Sequence, residues 1–174
     1  MRIDDLNDLD AEELAAALRA CVDIDSWVAA LLGGRPYRDA GALLDLARAH
    51  ASAWTSAEVL GALADHPRIG ERPAGSEAGA AHSAREQAGV DARDTELAER
   101  LRAGNLAYEE RFGRIYLVRA KGRTGAELLA LLEQRLDNDE ATELAVTREQ
   151  LGEIAVLRLV DLLDLDPATV GGPR

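Results

Sequence analysis

The sequence predicts an all-α fold: a single-domain, multi-helix bundle over residues 1–174 with one short extended segment near residues 115–119. Three observations predict it. Hydrophobic residues make up 47% of the chain but aromatics only 3%, so the core is built from Ala, Leu, Val and Ile, and Ala and Leu favour helix over strand. Apolar residues recur at three- and four-residue intervals through most of the chain, the period of a helix with one buried face. The lone β-like run, Ile115-Tyr116-Leu117-Val118, has no second run to pair with, so it reads as an extended connection between helices.

The elements follow in order. Asp8–Ala20 is the first expected helix, with Leu9, Leu14 and Leu18 turned inward. Ile24–Leu32 is the second, stopped by Gly33-Gly34, and Arg35-Pro36-Tyr37 is a connector. Asp39–Ala53 is the third, with Leu43, Leu44, Leu46 and Ala47 apolar. Thr55 or Ser56 caps a fourth, which carries Val59, Leu60 and Leu63. It ends at His66, because Pro67 forces the residue before it out of the helical region. Arg68–Glu77 is rich in Gly, Pro and charge and reads as a loop of about ten residues; loops of that length in compact domains are more often functional than idle. Helix resumes near Ala78 and runs to Ala88, where Gly89 stops it. A long helix over Asp94–Arg111 breaks at Phe112-Gly113. Thr124–Leu136 and Glu140–Leu163 are the last two helical regions, the second with a point of division near Thr147.

Charge and composition exclude several functions. Asp and Glu number 32 against 20 Lys and Arg, a net charge of -12. Such a surface repels nucleic-acid phosphates and anionic lipid, so neither nucleic acid nor a membrane is an expected partner. Cys21 is the only cysteine, which rules out a disulfide framework or a thiol-clustered metal site. His50, His66 and His82 are scattered without metal-ligand spacing, and no metal is expected. There is no apolar run near the roughly 20 residues that span a bilayer, no signal-peptide pattern and no peroxisomal tripeptide, so the expected location is the cytoplasm.

Three places concentrate chemistry. His66 stands where a helix ends, and the partial negative charge there favours the imidazolium, which puts its titration near working pH for acid–base work. A histidine that merely caps loose carbonyls fits the same position. Ser83, Glu86 and Gln87 share one helix face and offer a small polar ligand several hydrogen bonds and one charge, although Ser-x-x-Glu is also a capping box. Arg158 lies at about 340° on a wheel counted from Leu151, amid Leu151, Ile154, Ala155, Leu162 and Leu165. An arginine in an apolar stripe must pair, snorkel out or face a polar cavity, because an unpaired buried charge is costly.

Together these pieces resemble the OHCU decarboxylases, which act on 2-oxo-4-hydroxy-4-carboxy-5-ureidoimidazoline at the end of the route from urate to (S)-allantoin. In order they are Arg35-Pro36-Tyr37, His66-Pro67-Arg68-Ile69-Gly70 and Ser83-x-x-Glu86-Gln87-x-Gly89. Asn105-x-x-Tyr108-x-x-x-Phe112-Gly113, Tyr116-Leu117-Val118-Arg119-Ala120-x-Gly122-Arg123 and Arg135-Leu136-x-Asn138 follow, then Glu143-Leu144 and Ile154-Ala155-x-x-Arg158-Leu159. Each is weak alone; their joint order and spacing are specific and cover nearly the whole chain. The resemblance implies an all-helical, cofactor-free decarboxylase of a small-molecule substrate, commonly a homodimer. It implies that His66 is the catalytic acid/base with Glu86 and Arg158 as charged partners. It also implies that Pro67, Ser83, Gln87 and the segment Tyr116, Leu117, Val118, Arg119 and Ala120 line the pocket, the segment bonding a urea-like ligand through its backbone. One departure is Arg114, which follows Phe112-Gly113 where many relatives carry an aromatic residue. A non-catalytic helical interaction module and a hydrolase of a ureido or cyclic amide compound are the competing readings.

Overall fold

A computed structural model describes residues 1–63, 69 and 95–165. Among the described residues there are eight helices and no strand: α1 (Ile3–Asp8), α2 (Ala11–Cys21), α3 (Asp25–Gly33), α4 (Ala40–Ser52), α5 (Ser56–Ala62), α6 (Thr95–Phe112), α7 (Gly125–Arg135) and α8 (Glu140–Leu162). The all-α expectation therefore holds. The chain forms two compact units, one from Met1–Glu58 with the chain from Gly152 onward, the other from Val59–Leu151.

In the first unit, the single helix expected over Asp8–Ala20 is two, α1 and α2. Asp10 causes the division. Its carboxylate accepts the N–H groups of Glu12 and Glu13 at 2.9 and 2.8 Å, and Glu13 returns a carboxylate oxygen to the Asp10 N–H at 3.3 Å. This capping box starts a new helix. Leu14 and Leu18 are buried as their spacing requires; Leu9 is half-buried, and Leu6 of α1 fills the interior instead. Helix α3 packs on α2 and α4 and buries Trp27, Val28 and Leu31. The Trp27 indole N–H donates to the Ala47 carbonyl at 3.1 Å, and its ring meets Trp54 edge-on. Burying each large apolar side chain contributes about 1.5–3 kcal/mol. The Arg35-Pro36-Tyr37 connector, with a cis Arg35–Pro36 peptide, is tied down on several sides. Asn7 and Tyr37 exchange two hydrogen bonds of 2.8 Å, the Tyr37 hydroxyl donates to the Leu31 carbonyl at 2.6 Å, and Arg35 donates to the Leu9 carbonyl at 2.7 Å.

Helix α5 is opened by Thr55: its hydroxyl accepts the Glu58 N–H and the Glu58 carboxylate accepts the Thr55 N–H. The Ser26 hydroxyl donates to the same carboxylate. The helix ends at Ala62; the expected end at His66 lies outside the described residues.

In the second unit, α6 buries Leu101, Asn105, Tyr108 and Phe112, an i, i+4, i+7, i+11 stripe. With Leu128, Leu129 and Leu132 of α7, and with Ile69, Tyr116, Val118 and Ala120, its apolar members form one core cluster. Gly104 permits close helix approach, since a Cβ there would stand 2.5 Å from Leu132 Cδ2. Helix α6 stops at Phe112, and Gly113 follows with φ 64°. Arg114 stacks over the Phe112 ring at 5.4 Å and pairs with Glu140 at 2.5 Å, which is how a cation is accommodated beside an aromatic ring. Residues 115–120 are neither helical nor strand-paired, as expected. Thr124 and Glu127 form the capping box of α7. Helix α8 is not divided at Thr147. Its hydroxyl donates to the Glu143 carbonyl one turn back at 2.8 Å, so this β-branched residue is satisfied within the helix.

Candidate active site

His66, Pro67, Ser83, Glu86 and Gln87 lie outside the described residues, as do the loop expected over residues 68–77, Ile69 apart, and the helix expected over residues 78–88. Ile69, three positions after His66, is buried, and its carbonyl accepts a hydrogen bond from Asn105 Nδ2 at 2.9 Å. Helix α6 thus fixes the backbone just downstream of the His66-Pro67 motif.

Arg158 is held in the first unit. It is 6% exposed, so its guanidinium does not snorkel into bulk water. Nη1 donates to the carbonyl of Cys21 at 3.1 Å. Cys21 is the last residue of α2, whose final carbonyls lack partners inside the helix and carry partial negative charge. A fixed cation at a helix C-terminus is thereby stabilised. Burial pushes the neighbouring Cys21 thiol up to about 12, against the opposing pull of the Arg158 charge, so Cys21 stays a neutral thiol and is no nucleophile at neutral pH.

The Tyr116–Ala120 segment belongs to the second unit. Tyr116, Leu117, Val118 and Ala120 are buried and Arg119 is half-buried. The Tyr116 ring packs edge-on to Tyr108 at 5.2 Å with the Arg135 guanidinium 4.8 Å over its face. The Leu117 carbonyl accepts from Arg135 Nη1 at 2.6 Å. The Arg119 N–H donates to Gln150 Oε1 at 3.0 Å, its carbonyl accepts from Arg123 Nη1 at 2.7 Å, and its side chain donates to the Lys121 carbonyl.

Behind the segment lies a buried polar network absent from the expected site. Glu143, fully buried, accepts from Arg135 Nε and Nη2 at 2.9 and 2.5 Å, from Asn138 Nδ2 at 2.7 Å and from the Tyr108 hydroxyl. Burial alone would lower the Arg135 pKa; the hydrogen bonds and charge of Glu143 outweigh it and hold Arg135 above its ordinary value. Burial, then the bond to Glu143, raises the Tyr108 phenol, so it stays a donor. The signal for this network is in the sequence: Arg135 continues the buried Leu128–Leu132 stripe, and Glu143, Thr147 and Gln150 continue the stripe of Leu151, Ile154 and Arg158. Among the described residues no group of three or more His, Cys, Asp or Glu could hold a metal ion, and no helix is long and apolar enough to cross a membrane.

The fold is shared with solved structures. A crystal structure of OHCU decarboxylase in the presence of (S)-allantoin superposes with a TM-score of 0.68 at 23% identity, covering 84% of this chain and 96% of that one. That of (S)-allantoin synthase gives 0.71 at 20% identity over 94% of this chain and 55% of the other. The likeness defines the class by fold: an all-α protein with the helical architecture of these two structures. In sequence, the chain is 26% identical over 162 residues to the 2-oxo-4-hydroxy-4-carboxy-5-ureidoimidazoline decarboxylase of Haloferax volcanii, covering 92% of this chain and 95% of that protein. It is 29% identical over 167 residues to the uric acid degradation bifunctional protein PucL of Bacillus subtilis, and spans only 32% of that longer relative. Residues 7–160 match the family model for OHCU decarboxylase, and the chain belongs to that family.

Proposed function

We propose that this chain catalyses the decarboxylation of 2-oxo-4-hydroxy-4-carboxy-5-ureidoimidazoline to (S)-allantoin in the breakdown of urate. The family match across residues 7–160 carries this reading. The substrate supplies its own electron sink. When the C–C bond to the carboxylate breaks, carbon dioxide leaves, the bonding pair moves toward the adjoining ring C=N, and the ring nitrogen takes a proton. The resulting enol then loses its hydroxyl proton and its neighbouring carbon gains one. Delivery to a single face fixes the S configuration.

His66 is the acid/base that moves these protons, and Glu86 orients its imidazole. Ser83, Gln87 and Pro67, with the backbone of Tyr116, Leu117, Val118, Arg119 and Ala120, hold the ring and ureido groups. Arg158 neutralises charge on a ring oxygen. A clamp on the departing carboxylate would instead favour the ground state and slow the step. The same family resemblance supports a homodimer working in the cytoplasm.

The test is to add freshly generated substrate to the purified protein and follow optical activity. Dextrorotatory allantoin is expected to appear faster than in the spontaneous reaction, and no acceleration would overturn the reading. Ammonia release or ring opening without carbon dioxide would mark a hydrolase. His66→Asn is expected to fold and to lose about 10²–10⁴ in kcat. Arg158→Leu is expected to lose activity as well; a fall in thermal stability with turnover intact would confine Arg158 to capping α2.

A further inference from the structure

We infer that Gln150, with Arg123 and the buried Arg135–Glu143 pair, positions the Leu117–Arg119 backbone for substrate binding. This rests on the decarboxylase reading above. The stretch over residues 115–120 has neither helical nor ladder hydrogen bonds to set its backbone. Side chains do it instead. Arg135 Nη1 holds the Leu117 carbonyl at 2.6 Å, Gln150 Oε1 holds the Arg119 N–H at 3.0 Å, and Arg123 Nη1 holds the Arg119 carbonyl at 2.7 Å. The three bonds bracket Val118 on both sides.

The anchors are themselves fixed. Gln150 is 8% exposed, and its Oε1 also accepts from Arg123 Nη1 at 3.2 Å, so one oxygen ties two of the anchors together. Arg135 is locked by two bonds to Glu143 and one to the Thr147 hydroxyl at 3.2 Å, and its guanidinium stacks on Tyr116. Glu143 is held in turn by Asn138 and Tyr108. A core that needed only apolar contacts would not place a carboxylate, a guanidinium and an amide on the buried faces of α7 and α8. The guanidinium and the amide bond the backbone of Leu117 and Arg119, and the carboxylate fixes the guanidinium. Main-chain groups that grip a ligand have to be held to a fraction of an ångström, and an error of about 1 Å can cost about a hundredfold in rate.

The experiment compares Gln150→Leu with Gln150→Glu. Leucine removes the acceptor; glutamate keeps an oxygen for the Arg119 N–H and for Arg123. A grip on the ureido portion is made in the ground state and the transition state alike, so its loss appears mainly in KM. Gln150→Leu is expected to raise KM with a smaller fall in kcat, lowering kcat/KM about ten- to a hundredfold. Gln150→Glu is expected to restore most of it. Amide exchange at Arg119 should quicken in the leucine variant and recover in the glutamate variant. If Gln150→Leu does not fold, Arg123→Leu, from the non-helical stretch, carries the same expected rise in KM. Wild-type turnover with unchanged KM and kcat in a folded variant overturns this inference alone. A wild-type protein that does not accelerate the reaction overturns the decarboxylase reading and, with it, the role assigned to these anchors.

Discussion

Glu143 shows how much depends on one buried carboxylate. It has no solvent exposure and balances a guanidinium that is itself almost wholly enclosed. Removing one partner of such a pair leaves an uncompensated charge in the interior, so Glu143→Gln is expected to cost about 3–5 kcal/mol in urea unfolding. Arg100–Glu133 makes the contrast. It spans 2.8 Å, but both side chains are more than half exposed, and Glu133→Gln is expected to cost about 0–1 kcal/mol. Equal effects would mean that burial does not set the strength of the inner pair. Arg158 stands out in the sequence because it interrupts an apolar stripe. The same criterion applies to Arg135 and Glu143, but a plainer explanation hides them. A basic residue in the last turn of α7 and an acidic one in the first turn of α8 are what the helix dipole favours anyway. Their spacing sets both on buried stripes, but only the fold shows that they pair with each other. Gln150 lies on the stripe of Arg158 but carries no charge, so it does not stand out there as Arg158 does.

The caps are the most legible part of the helices, because each is set by residues within one turn. Asp39, Thr55 and Thr124 all stand where an oxygen followed by apolar periodicity predicts a start, and each bonds the backbone N–H expected of it. The six-residue α1 is not legible in the same way, since so short a helix does not display a period. The packing of α6 on α7 also depends on Gly104, whose value lies in what it lacks. A Cβ there would collide with Leu132, at 2.5 Å from Cδ2 and 3.2 Å from Cγ, and Leu132 is fully buried with little room to yield. Gly104→Ala is therefore expected to destabilise by about 1–3 kcal/mol, although alanine is the better helix former. Gly61, exposed in α5, has nothing within 4 Å of where an alanine methyl would stand, so Gly61→Ala is expected to stabilise by about 0.4–1 kcal/mol. If both shift thermal midpoints in the same direction, the close approach of α6 to α7 is not what glycine serves.

The titration of the whole chain has an asymmetry that follows from its few aromatics. All three tyrosines, Tyr37, Tyr108 and Tyr116, are buried, as is Cys21. Burial raises every one of these groups, Tyr37 and Cys21 to about 12. An unfolded chain releases these protons from about pH 9 for the thiol and about pH 10 for the phenols, whereas the folded chain keeps them. Between those values and about 12 the native state binds more protons, so stability falls as pH rises; below pH 9 this contribution is fully present. On the acid side the direction reverses. Backbone hydrogen bonds hold Asp39, Asp139 and Glu127 below the usual carboxylate range, and the Ser26 and Thr55 bonds do so for Glu58. Their share is present at neutral pH and is lost as pH falls through those depressed values. The net charge of -12 grows further with alkali and adds self-repulsion. Thermal midpoints are therefore expected to be flat around neutrality and to drop above about pH 9. Tyrosinate absorbance should rise together with the loss of helical circular dichroism. Phenols that ionise near pH 10 while the helices persist would show that water reaches them, and the alkaline loss would then have to come from repulsion alone.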